Sequence, residues 1–503
     1  MYIQTPINDP RQSEPAPRPP DPPREWREWR EWMMVGLGLT ALVAVIAAAV
    51  SIVAFAESGN ESTTRVVAHP QATAAPAATV AATPTLEQAK GIEYEPFKPV
   101  DATLPAVPPG AVKKFHVDVL QHVVQVSPEL APTEVWTYVV NGKAWRGTGA
   151  SEPIVVNQGD KVEITLTNGG SKAMNVTMPH SIDFHSAEVA PNKYYKDIEP
   201  GKSLRIRFTA DHPGVFMYHC ATQPVLTHVA NGMAGMMVVK PKGLAPVDRE
   251  LWMTQSEYYI GQPGKGADQA KMAAETPDVI AFNGYANQYK AAPIAVKRGE
   301  RIRMYVLNAG PSRWSAFHVI GTVFDRTVVE GTVGHDSQTV NLAPSQGGWT
   351  EFTLAQEGNY PFVTHSFGDM VRGAAGVLHT AHAPALPKAA TPAKAAAGTG
   401  GVGVTLGDMW VKTPTPTAKA GKVTFNVTNT GATMHQFAIG ADPLTMDGAE
   451  PAAAAAIAKG EMLHTGDTET VSADLKPGKY VLYCLMGGHY AAGQHIPFTV
   501  TGS

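Results

Sequence analysis

The chain has 503 residues, 44% of them hydrophobic, with 40 Lys and Arg against 44 Asp and Glu. A single core rarely grows beyond roughly 250 residues, so about three domains are expected. The nearly balanced charge gives no reason to expect a nucleic-acid partner, and 47 Gly with 41 Pro point to the many turns of an all-β protein built from short strands.

Residues 1–32 are rich in Pro, Arg and Glu and end in the repeat Arg24-Glu25-Trp26, Arg27-Glu28-Trp29, Arg30-Glu31-Trp32. They read as a disordered cytoplasmic tail running into a membrane interface, where Trp concentrates. Residues 33–56 carry no charge, and these 24 residues are enough for one transmembrane helix. Five arginines precede the span and only Arg65 follows closely, so the positive-inside rule places the N-terminus in the cytoplasm and the remaining chain outside the cell membrane. Ala54-Phe55-Ala56 has the form of a signal-peptidase site, which would give a secreted protein instead. The span is longer than the ~7–15 residues of a signal core, which favours a retained anchor.

Residues 57–112 are dominated by Ala, Pro and Thr and read as an extended linker; 383–401 read as a second one. The remaining segments, 113–245, 246–382 and 402–503, share a repeated pattern. Gly159–Asn168, Gly299–Asn308 and Gly421–Asn429 are each a period-two strand ending in Asn, followed by His180, His318 and His435 respectively. A second strand closes each unit: Phe216–Cys220, Tyr360–His365 and Tyr480–Cys484. Three tandem β-sandwiches are therefore expected.

Cys220 and Cys484 are the only cysteines, and each closes its strand with metal-binding side chains just downstream: His228 and Met233 after the first, His489 and Gln494 after the second. A thiolate, two imidazoles and a weak axial Met or Gln make a blue-copper (type 1) electron-transfer site. One disulfide or two buried thiols is the alternative. Aligned on Phe216, Tyr360 and Tyr480, the middle unit has Thr364 in place of cysteine, so it cannot form such a site, yet it keeps His318 and His365.

The spacing within 180–185 is informative. If extended, Asp183 and His185 share one face and His180 takes the other. His219 and Cys220 are likewise strand neighbours pointing to opposite sides, so one can serve a second metal while the other serves the first. That second centre would have His185 and His219 with Asp183 beside them, and a third ligand from elsewhere, for which the middle unit offers His365 and His318.

Over roughly 113–382 these motifs resemble the copper-containing nitrite reductases: Met178-Pro179-His180-Ser181-Ile182-Asp183-Phe184-His185, Tyr218-His219-Cys220-Ala221 through His228 to Met233, Phe317-His318-Val319-Ile320-Gly321, and Thr364-His365-Ser366-Phe367. The seven residues between Cys220 and His228 resemble the shorter-loop branch. The resemblance implies cupredoxin-like Greek-key sandwiches and a type 1 copper on His180, Cys220, His228 and Met233. It implies a type 2 copper on His185 and His219 with His365 of a neighbouring subunit, hence a homotrimer. It also implies proton handling by Asp183 and His318, a substrate pocket shaped by Ile320, and reduction of nitrite to nitric oxide.

Residues 402–503 resemble a small cupredoxin electron carrier, with His435, Cys484 and His489 as equatorial ligands and Gln494 where such carriers usually have Met. Such a fused domain would donate electrons to the first copper, giving two type 1 and one type 2 copper per subunit; the upstream electron donor is unspecified. A two-domain laccase is the competing enzyme class, but it needs His-x-His pairs and the chain contains none. A non-catalytic copper carrier is the third class, and it would not need His185, His219 and His365.

Overall fold

The computed structural model describes residues 83–143, 148–384, 401–408, 410–431 and 433–502. All fall within the unit Ala78–Ser503. The expected tail, the membrane helix, the first linker up to residue 82 and residues 385–400 of the second lie outside the described residues. Among the described residues no helix is long and apolar enough to cross a membrane.

The described chain is all-β, with helices of six residues at most. Around the first repeat, a sheet ordered Thr133–Val140, Val112–Val124, Lys161–Thr167, Ser203–Thr209 faces one ordered Ile154–Asn157, Ala234–Lys240, Gly214–His219, Asp183–Phe184. Phe115, Val162, Ile164 and Leu166 of the first sheet meet Tyr218, Met237 and Val239 of the second in one core. A six-stranded and a five-stranded sheet likewise enclose Ile302, Met304, Phe317 and Phe362. A further four-stranded and five-stranded pair encloses Val423, Phe425, Phe437 and Leu482.

The repeated strands form for a common reason, since alternate apolar residues face a core. Lys161–Thr167 buries every second residue and Gly421–Asn429 does so up to Val427, but Arg301–Gly310 is buried along nearly its whole length. Its even-numbered residues Ile302, Met304 and Val306 enter their own sandwich, while Tyr305 and Leu307 join Val215, Met217, Met236 and Trp349 in a core between neighbouring sheet pairs. A period-two reading anticipates one apolar face and does not anticipate a second partner for the other. Arg303, which shares the outward face, is buried because its guanidinium reaches both Glu351 at 2.6 Å and Glu250 at 3.0 Å.

The described part of the first linker differs from an extended tether. Val100, Ala102 and Leu104 are buried, and Thr85, Glu95 and Thr103 form bridges to Leu130, Val124 and Leu251. Short apolar residues among prolines carry no periodicity to betray this packing.

Candidate metal centres

Each repeated strand ends in an asparagine that fixes the loop leading to the histidine. The Asn168 amide donates to the carbonyls of Met178 and Ile198, Asn308 to those of Arg313 and Leu342, and Asn429 to those of Thr433 and Leu463. Met178 and Thr433 stand two residues before His180 and His435, so the amide anchors the backbone that delivers the ring.

Among the described residues three groups of His, Cys and Asp bring one ligand atom each to within 4.8 Å of one another: His180, Cys220 and His228; His435, Cys484 and His489; and Asp183, His185 and His219. Both cysteines are free and buried, which removes the disulfide alternative.

In the first group, Cys220 Sγ lies 3.9 Å from His180 Nδ1 and 3.3 Å from His228 Nδ1, and the two nitrogens are 3.1 Å apart. The Ser181 N–H donates to the sulfur at 3.4 Å, and the Trp136 ring stands edge-on to both imidazoles at centroid distances of 5.4 and 5.0 Å. Burial, then the neighbouring His228, pushes His180 down to about 3, and burial also lowers His228. Both imidazoles are therefore neutral at pH 7, as ligands must be. The loop is closed by Met233 N–H donating to His228 O and Cys220 N–H donating to Met233 O, each at 3.1 Å, and Met233 is fully buried.

The C-terminal group repeats this construction. Cys484 Sγ is 3.8 Å from His435 Nδ1 and 3.4 Å from His489 Nδ1, and Gln436 N–H donates to it at 3.4 Å. Gln494 N–H donates to His489 O and Cys484 N–H to Gln494 O, the same pair of bonds that holds Met233, so Gln494 occupies the methionine's place. Its Oε1 is 2.9 Å from His489 Nδ1, and its amide nitrogen donates to Gly407 O at 2.7 Å. His495 is exposed and stacks on Tyr490, away from this set. Burial opposes ionisation of Cys484, but hydrogen bonds from His435 and His489 outweigh it and bring the thiol down to about 6.

The third group sits at the strand pairing Asp183 opposite His219. His219 Nε2 and His185 Nε2 are 3.1 Å apart, and Asp183 Oδ2 is 3.9 Å from His219 Nε2. His219 Nδ1 lies 2.9 Å from the Cys220 carbonyl, a contact that requires the proton on Nδ1 and leaves Nε2 free for a metal. Burial, reinforced by His219, lowers His185, with Asp183 opposing. His185 is exposed.

His365 is not in this group. It stacks on His318 with ring centroids 5.2 Å apart, beside Phe367, which is 61% exposed. Burial first, and His365 after it, lower His318, against a raising contact from the Gln338 backbone. Ile320, just past the strand Ser315–Val319 that carries His318, is exposed. Thr364 stands in the cysteines' place, since its hydroxyl accepts from Ala316 N–H at 3.1 Å as the sulfurs accept from Ser181 and Gln436. Of the remaining histidines, His116, His122, His212 and His464 pair with Asp118, Glu95, Glu188 and Asp467, and His379 with Asn359. Outside the sequence reading lay Trp136, Gln121 and Asp408, which touch the imidazoles. No motif marks them; only the matching strand registers would.

The multicopper oxidase family matches residues 116–243. The chain is 37% identical over 237 residues to a copper-containing nitrite reductase of Neisseria gonorrhoeae, covering 45% of this chain and 59% of that protein. It is 27% identical over 250 residues to one from Alcaligenes xylosoxydans xylosoxydans, covering 44% and 74%. Several curated homologues are copper-containing nitrite reductases. The chain spans about three-fifths of the length of the first curated relatives it matches. Among solved structures, a copper nitrite reductase from Nitrosomonas europaea aligns with a TM-score of 0.49 at 28% identity, over 54% of this chain and 94% of that one.

Proposed function

We propose that the chain is a copper-containing nitrite reductase that reduces nitrite to nitric oxide and carries its own cupredoxin electron donor at the C-terminus, in three tandem cupredoxin-like Greek-key sandwiches. The observation that carries this reading is the adjacent pair His219-Cys220, whose side chains enter two different ligand groups. A thiol with two neutral imidazoles suits copper, and so does an imidazole pair beside a carboxylate. When bound, copper would supply one-electron redox chemistry at the two thiolate sites and Lewis acidity at the imidazole site.

In this reading His180, Cys220, His228 and Met233 hold one type 1 copper and His435, Cys484, His489 and Gln494 a second. His185 and His219 hold the type 2 copper with His365 of a neighbouring subunit in a homotrimer. The exposed His185, and the exposed Phe367 that packs edge-on against His365, support completion by a second copy. Asp183 hydrogen-bonds nitrite oxygen and passes it a proton, His318 supplies the second through water, and Ile320 limits the pocket. Nitrite, one electron and two protons give nitric oxide and water. The anchor over 33–56 would place this chemistry outside the cell membrane.

A multicopper oxidase would need His-x-His pairs, and there are none. The test is nitrite turnover with nitric oxide detection, together with electron paramagnetic resonance. Two type 1 signals per type 2 signal are expected, and His365→Ala should abolish the type 2 signal while sparing both type 1 signals. Catalysis surviving that loss would refute the reading.

A further inference from the structure

The two thiolate groups differ at one place beyond the ligands. Val112–Val124 pairs parallel with the first repeated strand and Val402–Gly407 with the third. Gln121 lies three residues past Asp118, the partner of Thr167, and Asp408 lies three past Thr405, the partner of Thr428. Thr167 and Thr428 each precede the anchoring asparagine, so Gln121 and Asp408 hold the same position in the two sandwiches.

Their contacts match as well. Gln121 Oε1 accepts from the N–H and hydroxyl of Thr177 at 3.0 and 3.3 Å, and its amide nitrogen is 3.2 Å from His180 Nε2. Asp408 Oδ1 accepts from the N–H and hydroxyl of Thr433 at 3.0 and 2.8 Å and lies 3.3 Å from His435 Nε2. Space for this contact is kept by Gly431, where an added Cβ would come within 2.6 Å of both Asp408 Oδ1 and His435 Nε2. One framework thus presents an uncharged amide to the first histidine and a carboxylate to the second.

We propose that Asp408 is a positioning residue that sets the direction of electron flow, by giving the C-terminal copper a lower reduction potential than the copper beside Gln121. A carboxylate accepting from Nε2–H makes the imidazole a stronger donor at Nδ1 and stabilises the more highly charged oxidised metal. The amide at Gln121, with its oxygen already engaged by Thr177, offers His180 no such charge. The exchange being biased is a single electron, lost from the C-terminal centre and gained by the centre of the first domain, with no other reactant. The inference rests on the reading of both groups as type 1 copper sites.

The experiment uses the full chain in two backgrounds. In Cys220→Ser only the C-terminal thiolate contributes the blue absorbance, and in Cys484→Ser only the first domain does. Redox titration of that absorbance should show Asp408→Asn raising the C-terminal potential by a factor of about ten in electron partition, about 59 mV for one electron. Gln121→Glu should lower the potential of the first centre by a similar factor. Unchanged potentials in copper-loaded variants would overturn the assignment, and should Asp408→Asn lose copper, the Gln121→Glu titration decides. Absence of blue absorbance from Cys220→Ser with Asp408 intact would refute instead the type 1 reading of the C-terminal group.

Discussion

At the scale of single residues, chemistry is assigned by which way neighbouring side chains point. His219 and Cys220 share a peptide bond, yet the ring joins Asp183 and His185 while the sulfur joins His180 and His228. Strand alternation makes this division legible in sequence, because successive residues face opposite sides whatever the tertiary setting. Gln494 was legible from its place after Cys484 and His489, where similar small cupredoxins usually carry Met. Asp408 was not, because it reaches His435 from 27 residues upstream through a strand register that no motif records. Asp183 is the residue whose role is most directly testable. It sits 3.9 Å from Nε2 of His219 without being hydrogen-bonded to it, close enough to share a ligand bound there. Asp183→Asn keeps the shape and removes the proton-accepting carboxylate, so nitrite turnover should fall on the order of 10²-fold. Copper content and the type 2 resonance should persist, and full-rate turnover by the copper-loaded variant would remove Asp183 from proton delivery.

At the scale of elements, the recurring unit is a strand ending in an asparagine that secures the histidine loop. The repeat was legible as Gly-to-Asn segments, but the reason for the asparagine was not, because its two carbonyl partners lie 4 and 34 residues away at Asn429 and 10 and 30 away at Asn168. Pattern alone also could not show that Arg301–Gly310 is buried on both faces, since the second face is covered by Val215, Met217 and Met236 of another sheet pair. Asn429→Ala leaves the carbonyls of Thr433 and Leu463 without their amide donor. The cost should be about 1–3 kcal/mol for each carbonyl left buried and unpaired, and the His435 loop should loosen with it. Calorimetry on the copper-loaded chain should show a lowered transition for the C-terminal unit, with the blue absorbance of Cys484 lost at lower temperature and that of Cys220 unchanged. An unaltered melting profile would mean that the asparagine is not the anchor.

At the scale of the molecule, the described chain holds two separate histidine pairs, which the proposed function joins across a subunit boundary. His185 and His219 lie together with Asp183, and His318 and His365 stack with each other beside exposed Phe367. An exposed aromatic side chain beside a stacked imidazole pair suits coverage by a partner surface. In the proposed trimer that partner is the next subunit, which makes a genetic test decisive. A chain carrying His185→Ala lacks one half of the site and a chain carrying His365→Ala lacks the other, so each alone should be inactive and without a type 2 resonance. Co-expressed, they form mixed trimers in which an intact His185 of one chain meets an intact His365 of another, and nitrite turnover should return to a fraction of the wild-type level together with the type 2 signal. Mixing the two purified homotrimers without exchange of subunits should restore nothing. Should co-expression fail to restore activity although mixed trimers are isolated with differently tagged chains, the site would be completed within one subunit. The contribution of His365 across the subunit boundary would then be refuted.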